Sequence, residues 1–392
     1  MGRLRTLDDL EVRGRRVLLR VDFNVPIEDG RIVDDARIRE SVPTLRRLLD
    51  AGAAVIVVTH RGRPQGKVVD ALRVAPLAAR LQELLGVPVK VAPGVVGDAV
   101  TAAAETLTPA EVLLLENVRF EAGEEANDPD FARRLSALAD VYVNDAFGAA
   151  HRAHASTEGV AHLLPAAAGL LMQREVEVLG SVLTDPREPL VAIVGGAKIS
   201  SKIGVMEHLL PRVARMLVGG AMACTLLKAR GADVGASKVE EDQLDIARRL
   251  LEEAGDRIIL PVDAVVADAF AEDANLRVVD ATSITAGWMM LDVGPRTVEE
   301  FASAVRDAGT VVWNGPLGVY EMEPFRHGTE GVARAVAESK AISVVGGGDL
   351  AAALSTLGLE DKITHVSTGG GATLEFLEGR ELPGINALEE RG

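Results

Sequence analysis

VAIVGGAKISSKIGVMEHLL (191–210) opens on four apolar residues, breaks at Gly195-Gly196 and resumes as a helix carrying Lys198 and Lys202. A strand so short and β-branched, without polar alternation, reads as buried on both faces and therefore parallel. The same punctuation recurs through the chain. In the first half it appears in RVLLRVDFN (16–24), AAVIVVTHRGRP (53–64), VLLLENVRF (112–120) and VYVNDAFGAAHRAH (141–154). In the second half it appears in MLVGGAMA (216–223), TVVWNGP (310–316), ISVVGGGD (342–349) and HVSTGGGA (365–372). Between these runs lie helical patterns: ARIRESVPTLRRLLDAG (36–52), which stops at Gly52, DPDFARRLSALAD (128–140) and EEDQLDIARRLLEEAG (240–255). Such alternation predicts an α/β fold of mostly parallel, doubly wound sheets flanked by helices. Open parallel sheets bind ligands at the carboxyl ends of their strands.

A chain of 392 residues is too long for one ordinary core and predicts two domains. Strand ends in the first half present Arg and His, and those in the second present Gly, Lys and Asp. We therefore expect two Rossmann-like domains facing each other across a cleft, at 1–169 and 190–375. The segment LLMQREVEVLGSVLTDPREP (170–189) serves as interdomain helix and linker. The longest apolar stretch, LLPAAAGLLM (163–172), is about half what a bilayer span needs. The N-terminus lacks the apolar core of a signal peptide, and a single cysteine, Cys224, suits a reducing compartment. A cytoplasmic address with no membrane partner is the expectation. The net charge of −16 argues against nucleic acid as a partner. Residues 1–180 carry 22 basic against 26 acidic side chains, and the remainder 20 against 32. Clustering Arg and His at strand ends within so acidic a protein builds an anion site against its own field.

In the first half Arg20, His60, Arg63, Arg119, His151 and Arg152 lie at or just beyond apolar runs. Arg37 opens a helix after the long loop that follows Asp22. Each alone reads equally well as a solvated surface charge. Together they suit a small phosphorylated acid, because guanidinium groups bind carboxylate and phosphate bidentately. Asp22 and Asn24 would hydrogen-bond a substrate hydroxyl.

In the second half Lys198 and Lys202 are two of only eight lysines. Spaced i,i+4 on one helix they repel, a penalty that a bound polyphosphate would remove. The bare N–H groups of the Gly195-Gly196 turn would help to hold it. No Walker A or Gly-x-Gly-x-x-Gly sequence occurs. Gly346-Gly347-Gly348-Asp349 and Gly369-Gly370-Gly371 offer further close backbone approaches, and Asp349 is a candidate for nucleotide-bound Mg2+.

The segments RVDFNVP (20–26), THRGRP (59–64), LLENVRF (114–120), NDAFGAAHRAH (144–154), GGAKISSK (195–202), LPVDAVVADAF (260–270), WNGPLGVYEMEPF (313–325), GGGD (346–349) and STGGGATLEFLEG (367–379) share one resemblance. Together and in this order, the chain resembles the phosphoglycerate kinases from end to end. The resemblance implies reversible phosphoryl transfer between Mg-ATP and 3-phosphoglycerate by a monomer. Asp22, Asn24, Arg37, His60, Arg63, Arg119 and Arg152 would bind phosphoglycerate. Gly196, Lys198, Lys202, Gly219, Gly220, Asn314, Pro316, Glu321, Gly347, Gly348, Asp349 and Leu350 would bind the nucleotide, with Asp349 at the metal. Arg37, Lys198, Lys202 and Gly371 would serve catalysis. A C-terminal segment, 376–392, would return to the N-terminal domain. Four positions depart from the family pattern: Leu350 where Ser or Thr is usual, Met290 where a small residue lies near adenine, Ala221 for a third glycine, and Arg61 for Leu. The first suggests that Leu350→Thr would tighten ATP.

Phosphoryl transfer asks chiefly for positioning and charge stabilisation. The acceptor is already a carboxylate, so no general base is expected. Two other classes share this sheet: an exported solute-binding protein, although no signal is present, and a nicotinamide dehydrogenase, although its fingerprint is missing.

Overall fold

A computed structural model of the chain describes residues 2–390. Met1, Arg391 and Gly392, at the outer limits of the first and last expected segments, lie outside the described residues. The chain forms two units. One runs to Glu177 and takes up again at Glu381; the other is Val178–Arg380.

The first unit is built on β1 (Arg16–Arg20), β2 (Ala54–Val58), β3 (Val89–Val91), β4 (Val112–Leu114), β5 (Val141–Asn144) and β6 (Ala166–Ala168). Their order is β3-β4-β2-β1-β5-β6, and every pairing is parallel. Leu18 of β1 lies between Ile56 and Tyr142 and is fully buried, as two-sided coverage requires. The chain works outward from β1 through β2, then returns to β5 on the other flank. That reversal opens a crevice at the carboxyl edge. Helix α1 (Ala36–Asp50) buries Ile38, Ser41, Leu45 and Leu48, one apolar stripe at helical spacing. It ends at Gly52, whose φ of +80° a side chain would resist.

The second unit holds β7 (Leu190–Val194), β8 (Arg215–Val218), β9 (Ile258–Ile259), β10 (Thr310–Asn314), β11 (Ile342–Gly346) and β12 (His365–Val366). The order is β9-β8-β7-β10-β11-β12, again wholly parallel. Here the reversal falls between β7 and β10, where Val194 pairs with Asn314. A three-stranded antiparallel sheet, formed by 276–280, 263–267 and 289–293, accompanies it.

All nine apolar runs of the sequence are strands of these two sheets. The three strands that sequence reading passed over, β3, β6 and β9, are edges of two or three residues. In β6 the residues are all alanine, a poor strand former. Helix α2 (Leu170–Thr184) continues unbroken past Glu177, so the expected linker is helix for most of its length. The C-terminal return begins at Glu381, not 376. Phe376 and Leu377 are buried on helix α5 (Gly371–Leu377), and Glu378 packs against Gly204, which keeps 376–380 in the second unit.

Candidate active site

In the first unit, the carboxyl ends of β1, β2 and β4 and the start of α1 bring most of the expected anion ligands together. Arg37 Nη1 donates to Asp22 Oδ2 at 2.8 Å. His60, just past β2, has Nδ1 3.7 Å from Asp22 Oδ1 and 3.1 Å from Arg20 Nη2. Burial takes the His60 imidazole well below its ordinary pKa; Asp22 opposes this, and Arg20, Arg119 and Arg37 reinforce it. His60 is therefore neutral. For Asp22 burial acts upward, but His60, Arg37 and Arg20 outweigh it and hold the carboxyl below its usual range. With the ring neutral, the two arginines carry that effect. The backbone N–H of Gly62 donates to Asn24 Oδ1 at 2.9 Å, and Arg119 Nη1 donates to the Gly62 carbonyl at 2.8 Å. Asn24 and Arg119 thus grip the loop on which Arg63 stands exposed. Arg119 also pairs with Glu125 at 3.3 Å. Arg152 Nε donates to His151 Nε2 at 3.2 Å.

Arg20 is a correction. It is fully buried, and its donors go to the Val21 carbonyl, Ser156 Oγ and His60 Nδ1. It braces the site and offers no face to a ligand.

In the second unit, glycines let three strand ends meet. A Cβ on Gly195 would lie 2.2 Å from the Pro316 carbonyl, and one on Gly220 would lie 2.6 Å from Gly196 N. One on Gly219 would strike Leu317. The sequence reading put both lysines on one helix. Instead Lys198 is extended (φ −138°, ψ 124°), residues Ile199–Ser201 form a 3-10 turn, and helix α3 (Ile203–Leu209) follows. Their i,i+4 repulsion therefore does not arise, because the turn separates them. Lys198 is exposed, while Lys202 is nearly buried and donates to Asn314 Oδ1. Burial lowers the Lys202 ammonium to about 8, against the opposing carboxylates of Asp349 and Glu378. Asn314 Nδ2 is buried without a hydrogen-bond partner. Gly347, at φ +106°, caps helix α4 (Gly348–Thr356), leaving Gly348 and Asp349 exposed on its first turn. Gly371 is exposed at the start of α5, and Glu321 is exposed on the loop after Leu317.

The sequence model of the phosphoglycerate kinase family matches residues 7–380. The phosphoglycerate kinase of Moorella thermoacetica is 57% identical over 389 residues, covering 98% of this chain and 99% of the relative. That of Rubrobacter xylanophilus is 57% identical over 387 residues, covering 99% and 98%. The phosphoglycerate kinase structure from Coxiella burnetii superposes with a TM-score of 0.89 at 42% identity, covering 98% of this chain and 99% of that one. The structure from Pyrococcus horikoshii gives 0.88 at 35%, covering 98% of each.

The chain belongs to the phosphoglycerate kinase family. As a member it is a phosphotransferase of glycolysis that uses ATP, and the solute-binding and dehydrogenase readings fall away. Three of its four departures from the phosphoglycerate kinase pattern are buried residues. Leu350 is fully buried, so its side chain fills the interior. Met290 is also interior, with Sδ 3.7 Å from the buried Cys224 Sγ, a thiol that burial pushes up to about 11. Arg61 is buried and donates to the Arg73 carbonyl, so it braces the loop. Ala221 sits at φ −62°, where glycine is not required.

Sequence reasoning missed the buried polar residues beneath the anion edge. Asn117 Oδ1 accepts from the N–H groups of Arg61 (3.1 Å) and Arg119 (3.2 Å), and its Nδ2 donates to the Arg61 carbonyl at 2.8 Å. Glu124 and Ser156 are fully buried. Only the fold reveals them, since Glu124 stands in the acidic stretch EAGEE, which reads as solvated surface.

Among the described residues, no helix is long and apolar enough to cross a membrane. None of them form a cluster of three or more His, Cys, Asp or Glu suited to a metal.

Proposed function

We propose that the first unit binds 3-phosphoglycerate through Asp22, Asn24, Arg37, His60, Arg63, Arg119 and Arg152. The second unit binds ATP through Gly196, Lys198, Lys202, Gly219, Gly220, Asn314, Pro316, Glu321 and the Gly347-Gly348-Asp349 turn. The observation that carries this reading is the gathering of Arg37, His60, Arg119 and Arg152 at the carboxyl edge of one parallel sheet, in a chain of net charge −16. Such a concentration of donors suits a small dianionic acid and little else.

The two units then close on their ligands. A carboxylate oxygen of phosphoglycerate attacks the γ-phosphorus in line as the bond to the β–γ bridging oxygen breaks, leaving ADP and an acyl phosphate. No proton need move, so no general base is assigned. Arg37, Lys198 and Lys202 offset the charge spread over the phosphoryl oxygens, and backbone N–H groups at Gly371 add to this. Closure excludes water and so suppresses hydrolysis of ATP.

Mg2+ is bound with few protein ligands when a nucleotide carries it, and an exposed carboxylate at a helix start fits that demand. Asp349 would hold it, and the ion would neutralise polyphosphate charge. A cytoplasmic monomer that acts on small molecules alone is the form we expect.

A coupled assay with 3-phosphoglycerate, ATP and Mg2+ tests the reading. ADP release that depends on 3-phosphoglycerate is expected. ADP release that is indifferent to 3-phosphoglycerate would overturn it.

A further inference from the structure

A fully buried carboxylate, Glu124, lies under the anion edge, yet nothing in the transfer uses it. It belongs to the short helix Ala122–Glu125 that follows Arg119. Ser156, two segments away on the loop after Arg152, donates to it twice: Oγ to Oε1 at 2.6 Å and the backbone N–H to Oε2 at 2.9 Å. The Ala155 N–H donates to the Glu124 carbonyl at 3.0 Å, so backbone and side chain tie the same two loops. Arg20 Nε donates to Ser156 Oγ at 2.8 Å, and Arg20 Nη2 reaches His60 Nδ1 at 3.1 Å.

The direction of every bond in this chain is forced. A guanidinium can only donate, so Ser156 Oγ accepts from Arg20 and must send its own proton to Glu124. Both Glu124 oxygens then accept, one from the Ser156 hydroxyl and one from its backbone N–H. Burial lifts the Glu124 carboxyl above its ordinary range, and Arg20 and the Ser156 bonds pull it only part of the way back. At the other end, His60 Nδ1 accepts from Arg20, so the ring proton sits on Nε2. The ring then has a single donor to offer an anion.

We propose that Glu124 is a positioning residue for phosphoglycerate: through Ser156 it holds Arg20 where its Nη2 keeps His60 as the Nε2–H tautomer, and it locks the Arg119 and Arg152 loops to each other. This deepens the proposed function and rests on it for the substrate. The relay itself is a property of the unliganded chain.

The test uses Glu124→Gln in the full chain. An amide accepts through one oxygen only, so one Ser156 donor loses its partner and Ser156 Oγ, the acceptor of Arg20 Nε, is no longer held in place. KM for 3-phosphoglycerate should rise about tenfold or more, the loss expected of one buried charge-assisted hydrogen bond. KM for ATP should stay within about twofold, because the nucleotide residues lie in the other unit. Nitrogen-15 shifts of the His60 ring, read without substrate, should report Nε2–H in the parent protein and a tautomer mixture in the variant. Glu124→Asp, which keeps the charge, should fall between the two. If Glu124→Gln does not fold, Ser156→Ala interrupts the same relay and should move both readouts the same way. An unchanged His60 tautomer, or KM values for both substrates rising together, would overturn the proposal. If the parent protein turned over no phosphoglycerate, the functional reading would fail while the ring shifts still judged the relay.

Discussion

At Gly220 an added methyl would stand 2.6 Å from both N and O of Gly196, on a backbone at φ +69°. Neither atom can yield without moving the β7 turn. Gly220→Ala should therefore cost roughly 1–3 kcal/mol of stability. It should also weaken ATP, which denaturant titration and calorimetry would read separately. Leu350 gives a contrasting case. A hydroxyl there would enter the interior, so Leu350→Thr should destabilise by roughly 2–4 kcal/mol and leave the ATP dissociation constant unimproved. Lys202 makes affinity depend on pH. Its ammonium, lowered by burial to about 8, is charged below that value and neutral above it. ATP affinity measured by calorimetry should fall as pH rises through about 8. Lys202→Arg, always protonated, should lose that fall even where it binds more weakly.

Among elements, the turn after β4 depends on Asn117 more than on its own backbone. With four hydrogen bonds from one buried amide, it fastens the loop after β2 to the 3-10 turn that carries Arg119. Asn117→Ala leaves those partners buried and unpaired, at a cost of roughly 2–4 kcal/mol. It should raise KM for phosphoglycerate with ATP unaffected; steady-state kinetics beside thermal melts would separate the two effects. The strands themselves were legible beforehand because two-sided burial demands unbroken apolar runs. Of the edge strands, β3 is largely exposed and needs no such run, while β6 is buried but made of alanine, which carries no strand signal. The turn between Lys198 and Lys202 was illegible for a different reason. Both a helix and a 3-10 turn accept ISSK, and the close approach of Gly195 to Pro316 decides how the chain leaves β7.

For the whole molecule, each unit carries half of the proposed chemistry, so neither substrate alone should complete the site. Small-angle scattering should show a smaller radius of gyration with phosphoglycerate and nucleotide together than with either one. An unchanged radius would count against closure as the step that precedes transfer. The amino-acid order alone determined the two parallel sheets and set Arg and His at the strand ends of the first unit and Gly, Lys and Asp at those of the second. Apolar runs and the residues that end them are local properties, and local properties survive in a linear text. What tertiary structure decided is which residues face a ligand and which support those that do. Arg20 and Arg37 are alike in sequence, yet one is sealed against Ser156 and His60 while the other stands at the start of α1 beside Asp22. Leu350 and Asp349 are neighbours, and the roughly 100° step between successive helical residues sends them to different surroundings. Burial and hydrogen-bond partners come from segments more than a hundred residues apart, as with Arg20 and Ser156, and only folding brings those segments into contact.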